Sequence, residues 1–345
     1  MRFPEFTEEW NREKIASILT IGSGKDYKHL SKGTIPVFGT GGYMASVDDF
    51  LYEGESVCIG RKGTINKPLY FNGKFWTVDT LFYTHSFKNV LPKFVYNIFE
   101  QINWLKYNEA SGVPSLSKST IEQIDINIPC VEEQQKIATF LSLIDERIQT
   151  QNKIIEELKL LKNTIRYQLY EQILNQENEY IQIKDTLNYE QPTKYLVTNT
   201  DYSPDSSLNP VLTANKAFIL GYTDELFGVY NKGNCIIFDD FTMDMKFVDF
   251  PFKVKSSAIK ILTAKPNVNL KFIFEYLSFL NLSSNEHKRH YISEIEPMKI
   301  QLPNYIQQKH VADFLASIDD KIKTEFEIHT LLLKQKQYLL ANLFI

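Results

Sequence analysis

The segment from Gly60 to Lys67 concentrates side chains that are suited to binding nucleic acid. Its sequence, Gly-Arg-Lys-Gly-Thr-Ile-Asn-Lys, holds three cations, two glycines and two small polar residues in eight positions. Arginine can donate two hydrogen bonds to guanine, asparagine can pair with adenine, and lysine neutralises phosphate. Glycine lets the backbone approach a ligand closely. A charged hairpin without a partner would show the same pattern. The candidate DNA contacts in this segment are Arg61, Lys62, Thr64, Asn66 and Lys67.

Catalytic and metal-binding motifs are not found elsewhere in the sequence. Gly22-Ser-Gly-Lys25 resembles part of a phosphate-binding loop, but Leu19 and Asp26 stand where that loop needs glycine and serine or threonine. The six histidines are scattered and the three cysteines lie far apart, so neither set has the spacing of a zinc site. We predict no catalytic residue, no metal site and no cofactor bound by this chain, with the cysteines buried as small apolar side chains.

The adjacent carboxylates Asp239 and Asp240 leave three alternatives open. Neighbouring residues of a strand point to opposite faces of the sheet, which does not favour a metal site. A surface or turn position is the second alternative. A contact to a base or a partner is the third, because a carboxylate can accept a hydrogen bond from a cytosine amine. On this alternative, Asp240 and Thr242 are candidate DNA contacts.

The chain is a tandem repeat. Ile126-Asn-Ile-Pro129 and Ile300-Gln-Leu-Pro303 each precede a polar pair and a long helical pattern, and the two prolines are 174 residues apart. The same offset relates Pro36-Val37 to Pro210-Val211. Between these points the two copies diverge. This pattern indicates a shared scaffold that carries two different recognition surfaces.

Two corresponding loops of the repeat carry different polar residues. Gly39-Thr-Gly-Gly42 resembles a loop that binds S-adenosylmethionine, but its spacing is wrong and no long β-α-β unit follows. A turn or a recognition loop is the better interpretation. The matching loop of the second copy is Thr213-Ala-Asn-Lys216. The candidate DNA contacts in these loops are Gly39, Thr40, Gly41, Gly42, Thr213, Asn215 and Lys216.

Two long helices follow the globular regions. Residues 131–176 contain neither glycine nor proline, and their apolar residues alternate in steps of four and three, as in a coiled coil. Residues 311–343 repeat this spacing. Polar residues interrupt the apolar seam in register, either as partly exposed positions or as residues that fix the register of the paired helices. They are Gln151 with Glu325 and Lys162 with Lys336.

These patterns predict two copies of a mixed α/β (α+β) domain joined by two long helices. The helices are expected to pair as an antiparallel coiled coil, with pseudo-two-fold symmetry between the repeats. The predicted segments are a first domain (residues 1–130), a first helix (131–179), a second domain (180–303) and a second helix (304–345).

The charge of the chain does not by itself favour nucleic acid. The formal net charge is −4, and residues 1–130 contain as many acidic as basic side chains. Positive charge must be concentrated in loops, or a partner must supply many of the phosphate contacts. No apolar run is long enough to cross a membrane, and residues 1–10 do not resemble a signal peptide. We therefore expect a cytoplasmic protein.

Several strings resemble the specificity subunit of type I restriction–modification enzymes. They are Ile35-Pro-Val-Phe-Gly-Thr-Gly-Gly42, Ile59-Gly-Arg-Lys-Gly-Thr-Ile-Asn-Lys-Pro68, Phe75-Trp-Thr-Val-Asp-Thr-Leu-Phe-Tyr83, Ser111-Gly-Val-Pro-Ser-Leu116, Val211-Leu-Thr-Ala-Asn215 and Phe238-Asp-Asp-Phe-Thr242. The resemblance extends over essentially the whole chain. It implies two target-recognition domains that each read one half of a split DNA site, in a subunit without catalytic residues.

The resemblance also implies the partners. Double-stranded DNA and two methyltransferase subunits would bind this chain, and restriction and translocase subunits would join the full complex. S-adenosylmethionine, ATP and magnesium would be bound only by those partners. The helices would act as a ruler between the half-sites and as docking surfaces. The docking or seam candidates are Glu133, Gln134, Phe140, Ile144, Asp145, Gln308, Phe314, Ile318 and Asp319.

Two points stay open on the sequence alone. Gln307 stands where the first copy has Glu133, a departure that would make the two docking surfaces unequal. A coiled-coil scaffold that binds only other proteins is the alternative function, and specific retention of DNA in the presence of a partner would separate the two.

Overall fold

The computed structural model describes residues 2–214, 217–283 and 288–344. The chain divides into two compact units, Met1–Asn152 with Glu327–Ile345 and Lys153–Phe326. Each unit therefore combines one globular region with parts of both long helices. The four segments predicted from the sequence follow one another along the chain. The two compact units do not coincide with these segments, because the boundary between the units lies within both long helices.

The first unit contains eight strands and three short helices among its described residues. The strands are β1 (Asn11–Lys14), β2 (Thr20–Ser23), β3 (Lys32–Gly39), β4 (Gly42–Val47), β5 (Tyr52–Gly60), β6 (Leu69–Thr77), β7 (Leu81–His85) and β8 (Asp125–Ile128). The helices are α1 (Ile15–Ile18), α2 (Pro92–Gln101) and α3 (Lys118–Glu122), with a 3-10 turn at Trp104–Tyr107. Six strands form one sheet in the order β2-β7-β5-β6-β3-β4, and β1 pairs with β8. Within the larger sheet β3 and β6 are parallel and the other neighbours are antiparallel.

The second unit repeats this plan with shorter strands. They are β9 (Glu179–Gln182), β10 (Leu187–Glu190), β11 (Asn209–Leu212), β12 (Ile219–Thr223), β13 (Cys235–Asp239), β14 (Met245–Val248), β15 (Lys253–Val254), β16 (Ile259–Ala264) and β17 (Lys299–Leu302). The short helices are α5 (Ile183–Thr186) and α6 (Leu270–Phe279), with a 3-10 turn at Pro192–Tyr195 and a π turn at Tyr291–Ile295. The sheets have the orders β10-β16-β13-β14, β12-β11-β15 and β17-β9.

The large sheet is continuous in the first unit and divided in the second for a local reason. Strand β6 has nine residues and pairs with β5 along one part and with β3 along another. Its counterpart is split into β14 and β15, with Pro251 in the break. Proline has no N–H to donate to a neighbouring strand, so it favours an interruption at this point.

The two long helices are α4 (Val131–Leu174) and α7 (Tyr305–Leu343). Their seam residues are buried or half-buried, as the heptad spacing predicts. In the first unit Lys336 contacts Asp145, whereas the earlier Leu332 lines a pocket with the later Gln151. Residue numbers therefore increase along one helix as they decrease along the other, so the two helices run in opposite directions.

The second unit shows the same direction of pairing. Lys162 contacts Asp319, and the earlier Lys159 lies over the ring of the later Phe326. The predicted antiparallel pairing is therefore confirmed within each unit. The expectation of buried cysteines is met for Cys58 and Cys235, whereas Cys130 is half-buried, and all three are free thiols.

Candidate nucleic-acid interface

The loop from Gly60 to Lys67 connects β5 to β6 and is closed by its glycines. A Cβ on Gly60 would lie 2.1 Å from the carbonyl oxygen of Thr64, so only glycine allows this approach. Gly63 has a φ of +94°, which also favours glycine. Ile65 is buried in the core of the unit and anchors the loop. The buried anchor leaves the polar and charged residues on either side of it available at the surface.

The structure brings the first two predicted loops together. The β3–β4 hairpin turns at residues 39–42, where Gly42 has a φ of +104°. The hydroxyl oxygen of Thr40 lies 3.6 Å from the position that a Cβ on Gly63 would occupy. Gly41 is exposed, Thr40 and Gly42 are half-buried, and Gly39 is buried. Two loops about twenty residues apart in sequence therefore form one surface.

A third segment completes this surface and was not selected as a site from the sequence. The N–H of Gly63 donates to the carbonyl oxygen of Pro114 (2.8 Å), and the N–H of Leu116 donates to that of Arg61 (2.9 Å). This third segment and the loop that carries Arg61 and Lys62 border an open cleft of about 650 Å³. The residues that line the cleft are Arg61, Lys62, Asp79, Thr80, Glu109, Ala110, Val113, Ser115, Leu116 and Ser117.

The cations of this surface are not neutralised inside the chain. Arg61, Lys62 and Lys67 are exposed, and the Arg61 side chain has only a long contact of 3.4 Å to the carbonyl oxygen of Asp79. Within the described ranges, no carboxylate lies within 4.0 Å of any of the three. Arg61 and Lys62 share the cleft with Asp79 and Glu109, so its lining has no net charge. The three exposed cations are nevertheless each free of a close ion pair among the described residues, and each can meet phosphate individually.

The corresponding loops of the second unit differ. Asn215 and Lys216 lie outside the described residues, and Thr213 is buried. Thr242 is exposed, and its N–H donates to the Asp239 carboxylate (3.0 Å), which holds the turn after β13. Thr242 therefore stays a candidate contact, while the buried Thr213 side chain is not available to a base.

Asp240 corrects an expectation, because it faces the interior. It is 2% exposed, and its Oδ1 accepts hydrogen bonds from the backbone N–H groups of His290 (3.1 Å) and Tyr291 (2.9 Å). Its Oδ2 lies 3.3 Å from the ammonium of Lys260, which is itself 1% exposed. Both carboxylate oxygens are thus used inside the unit, so Asp240 is a structural residue and not a base contact.

Three docking candidates are also used inside their own unit. The Glu133 carboxylate is buried and accepts hydrogen bonds from the Arg2 guanidinium (2.8 and 2.7 Å) and the Trp10 indole (3.2 Å). Gln134 and Gln308 are equally buried. Their side-chain oxygens accept from backbone N–H groups at the starts of α2 and α6, respectively. These residues fasten helix to domain, and the docking assignment is withdrawn for all three.

Lys162 and Lys336 occupy equivalent positions in two ionic clusters. In the first unit Lys336 lies between Glu100 (2.7 Å) and Asp145 (2.6 Å). Burial raises the pKa of Glu100 above its ordinary value, although Lys336 acts against this. These lysines are buried and paired, which excludes the alternative that they are merely exposed interruptions of the seam.

The second cluster contains more cations. Lys162 lies between Glu275 (2.8 Å) and Asp319 (2.6 Å), and Arg166 and Lys271 also contact Glu275 (2.8 and 3.1 Å). Burial acts to raise the pKa of Glu275, but the three cations outweigh it and lower that pKa below its ordinary value. The pKa of Asp319 is lowered by Lys162 and Lys271 in the same way, against the effect of burial.

The remaining docking candidates differ between the helix surfaces. Ile144 is buried in the seam, and Ile318 is half-buried. Phe140 is half-buried beneath Phe3, with the ring centroids 6.0 Å apart, whereas the equivalent Phe314 is 50% exposed. Other large apolar residues exposed on the two helices include Leu143, Leu160, Leu161, Ile306, Leu331 and Leu333. Exposed apolar side chains of this kind can bind protein where they form a contiguous patch.

Comparison with known proteins shows similarity over the first part of the chain. Residues 7–160 match the type I restriction modification DNA specificity domain. The specificity subunit of the Escherichia coli type I restriction enzyme EcoR124I/EcoR124II is 46% identical over 133 residues, which are 37% of this chain and 33% of that protein. Over these residues the chain is similar to type I restriction enzyme specificity subunits.

Other specificity subunits extend the likeness. That of the MjaIX enzyme from Methanocaldococcus jannaschii is 37% identical over 92 residues, 22% of this chain and 21% of that protein. The chain thus spans only about a third of the first relative and a fifth of the second in these matches. The crystal structure of the S subunit from M. genitalium covers 100% of this chain and 99% of its own, with a TM-score of 0.68 at 14% identity, which shows a common fold.

A chain from a structure described as the structural basis of complex assembly and conformational transition of the type I restriction–modification system has a similar fold. That chain covers 98% of this one and 98% of its own, with a TM-score of 0.54 at 11% identity. Among the residues described for the present chain, no helix is both long and apolar enough to cross a membrane. The same residues contain no group of three or more metal-ligating side chains.

Proposed function

We propose that this chain is the DNA-recognition subunit of a type I restriction–modification complex, that it has no catalytic residues of its own, and that each unit reads one half of a bipartite DNA site. The open cleft beside Arg61 and Lys62 carries the proposal for the first unit. The loop from Gly60 to Lys67 and residues 109–117 line the cleft, and Arg61 and Lys62 have no carboxylate partner within 4.0 Å among the described residues. Arginine beside glycine and small polar residues can reach the edge of a base and the adjacent phosphate.

The test is a methylation map of DNA modified by the complex of this chain with its methyltransferase. Replacing residues 1–130 by the equivalent domain of a relative should change one half of the methylated sequence and leave the other half intact. The reciprocal replacement of residues 180–303 is the matched control, and it should change only the other half. A change in both halves by either chimera would reject independent reading.

The near-neutral charge of both domains adds a condition to this proposal. Because few phosphates can be neutralised by this chain alone, specific DNA should bind much more tightly when methyltransferase subunits are present. Gel-shift titration at one salt concentration, with and without those subunits, measures the difference. Equal affinity in both samples would contradict this condition. Assembly with partners but no DNA preference at all would favour the protein-only scaffold.

We further propose that the exposed apolar residues of α4 and α7 dock two methyltransferase subunits. Phe314 is the clearest single candidate because half of its surface is exposed, in contrast to Phe140 beneath Phe3. Phe314→Arg should weaken assembly of one methyltransferase and leave the other bound, as measured by the mass of the complex in light scattering. Lys323→Ala, an exposed change on the same helix, is the control. An unchanged mass with Phe314→Arg would remove Phe314 from the interface.

A further inference from the structure

Asp240 and Arg61 occupy the same place in the two units. The N–H of Arg61 donates to Thr80 and its carbonyl oxygen accepts from Leu116. Asp240 makes the same two backbone bonds, which are its N–H to Ala258 (3.0 Å) and its carbonyl oxygen from His290 (3.0 Å). The equivalence places Arg289, which precedes His290, at the position that Ser115 holds beside Leu116. The second unit thus has a carboxylate where the first has a guanidinium, and a guanidinium on the facing segment.

The carboxylate of Asp240 has other partners than the Arg289 guanidinium. Its Oδ1 accepts hydrogen bonds from two backbone N–H groups, and its Oδ2 contacts the buried ammonium of Lys260. Asp240 and Lys260 together carry no net charge. The Nε of Arg289 lies 4.0 Å from Oδ2 of Asp240, beyond hydrogen-bond distance, and the Arg289 side chain is 58% exposed. Its positive charge is therefore presented at the surface.

The neighbouring lysine is different. The ammonium of Lys288 lies 2.9 Å from the Glu294 carboxylate, and this contact is the largest cause that lowers the pKa of Glu294. Lys288 thus makes a close ion pair with a residue six positions away, whereas Arg289 only reaches the 4.0 Å limit of an ion pair with Asp240, through its Nε. Both side chains are exposed, but the guanidinium of Arg289 is held less closely by the chain.

We propose that Arg289 is the base-reading arginine of the second unit, the counterpart in role of Arg61 in the first. Its expected ligand is a guanine, which offers two acceptors to a guanidinium in the major groove. The Asp240 carboxylate fixes the backbone directly after Arg289 through the N–H groups of His290 and Tyr291. This restraint reduces the freedom that binding would otherwise remove. The inference rests on the proposed function as a DNA-recognition subunit.

The experiment compares four variants of the full chain in complex with its methyltransferase. They are Arg289→Ala, Arg289→Lys, Lys288→Ala and Arg61→Ala. Sequencing of the methylated DNA gives the preference at every position of both half-sites. Arg289→Ala should lower discrimination at one G·C pair of one half-site by roughly tenfold or more, and Arg61→Ala should do so in the other half-site. Arg289→Lys keeps the charge and loses the bidentate geometry, so discrimination should fall while affinity is largely kept. Lys288→Ala should leave the preference unchanged.

Each contrary outcome has a distinct meaning. If Arg289→Ala weakens cognate and scrambled DNA equally, Arg289 contacts phosphate and the base-reading assignment is overturned. If it changes nothing while Arg61→Ala relaxes one half-site, the assignment to Arg289 fails and the proposed function stands. If the unmodified complex shows no sequence preference, the proposed function itself fails. Thermal unfolding of each complex verifies that the exposed substitutions leave the fold intact.

Discussion

The positions of Arg61 and Asp240 show how one scaffold supports two opposite uses of the same site. Both residues follow the central strand of their sheet, and both form the same pair of backbone hydrogen bonds. The Arg61 side chain is exposed, whereas the Asp240 side chain is buried against Lys260. The backbone hydrogen bonds keep the same local structure in both units. The side chain directly after the strand can therefore point either to the surface or to the interior. A repeat can therefore change its recognition chemistry without a change of fold.

The largest expected effect tests this difference through stability. Asp240→Ala leaves the ammonium of Lys260 buried without its partner and removes the acceptor of two backbone N–H groups. Loss of one member of a buried pair costs about 3–5 kcal/mol. Arg61→Ala, at the equivalent exposed position, should change the free energy of unfolding by less than about 0.5 kcal/mol. Urea unfolding of the two variants and of the unmodified chain measures both quantities.

The double variant Asp240→Ala/Lys260→Met provides the control. It removes the unpaired ammonium, so much of the stability lost in Asp240→Ala should return. A stability for Asp240→Ala equal to that of Arg61→Ala would show that the buried pair is not a structural feature of the second unit.

The ionic clusters give the next largest difference between the units. Glu275 contacts three cations and is fully buried, whereas Glu100 contacts Lys336 and the hydroxyl of Tyr96 and has a raised pKa. Glu275→Leu should therefore cost about 3 kcal/mol, and Glu100→Leu only about 1 kcal/mol. Hydrogen exchange of α6 and α2, followed by mass spectrometry, reports each unit separately. Equal losses of protection in the two variants would contradict the argument.

The periodic and repeated features of this fold could be predicted from sequence. Heptad spacing without glycine or proline predicted the two helices, and the constant offset of 174 residues between matching strings, such as those ending at Pro129 and Pro303, predicted the repeat. The loop from Gly60 to Lys67 was recognised by its composition. Such signals lie within a few residues of one another, so local physical rules are sufficient to interpret them.

The features that escaped prediction depend on contacts between distant residues. Gly63 meets Pro114 across about fifty residues, and no local pattern indicates that they are adjacent. The inward direction of Asp240 depends on Lys260 and on the backbone of His290. The composition gives only a near-neutral net charge, and it does not single out Arg289. Only the structure shows which cations have close ion-pair partners. The sequence predicted the helices and the repeat, but it did not predict which side chains contact one another.

The proposed DNA contacts of the first unit should give a smaller effect that separates two kinds of cation. Arg61→Ala should cost about 1–3 kcal/mol on the cognate site and relax one position of one half-site. Lys67→Ala should weaken cognate and scrambled DNA alike, and should reduce the slope of log affinity against log salt by about 1. Titrations of the complex with both DNAs at three salt concentrations measure these effects. Unchanged binding in both variants would show that the loop is a surface turn. The difference between Arg61 and Asp240 would then have no bearing on DNA recognition.

The smallest expected effect is a difference in acid sensitivity. Glu275 and Asp319 have lowered pKa values in the folded second unit, so their contribution to stability is present above the ordinary carboxyl pKa and is lost as the pH falls through their folded values. Glu100 has a raised pKa, so its contribution has the opposite sign and is lost as the pH rises. As the pH falls below the ordinary carboxyl value of about 4, α6 should therefore lose protection from hydrogen exchange before α2, after correction for intrinsic rates. Because Lys162 is a main cause of the lowered values, Lys162→Met should bring the two pKa values closer to normal and reduce this difference. If α2 loses protection first, the assignment of opposite pKa directions to the two clusters is wrong.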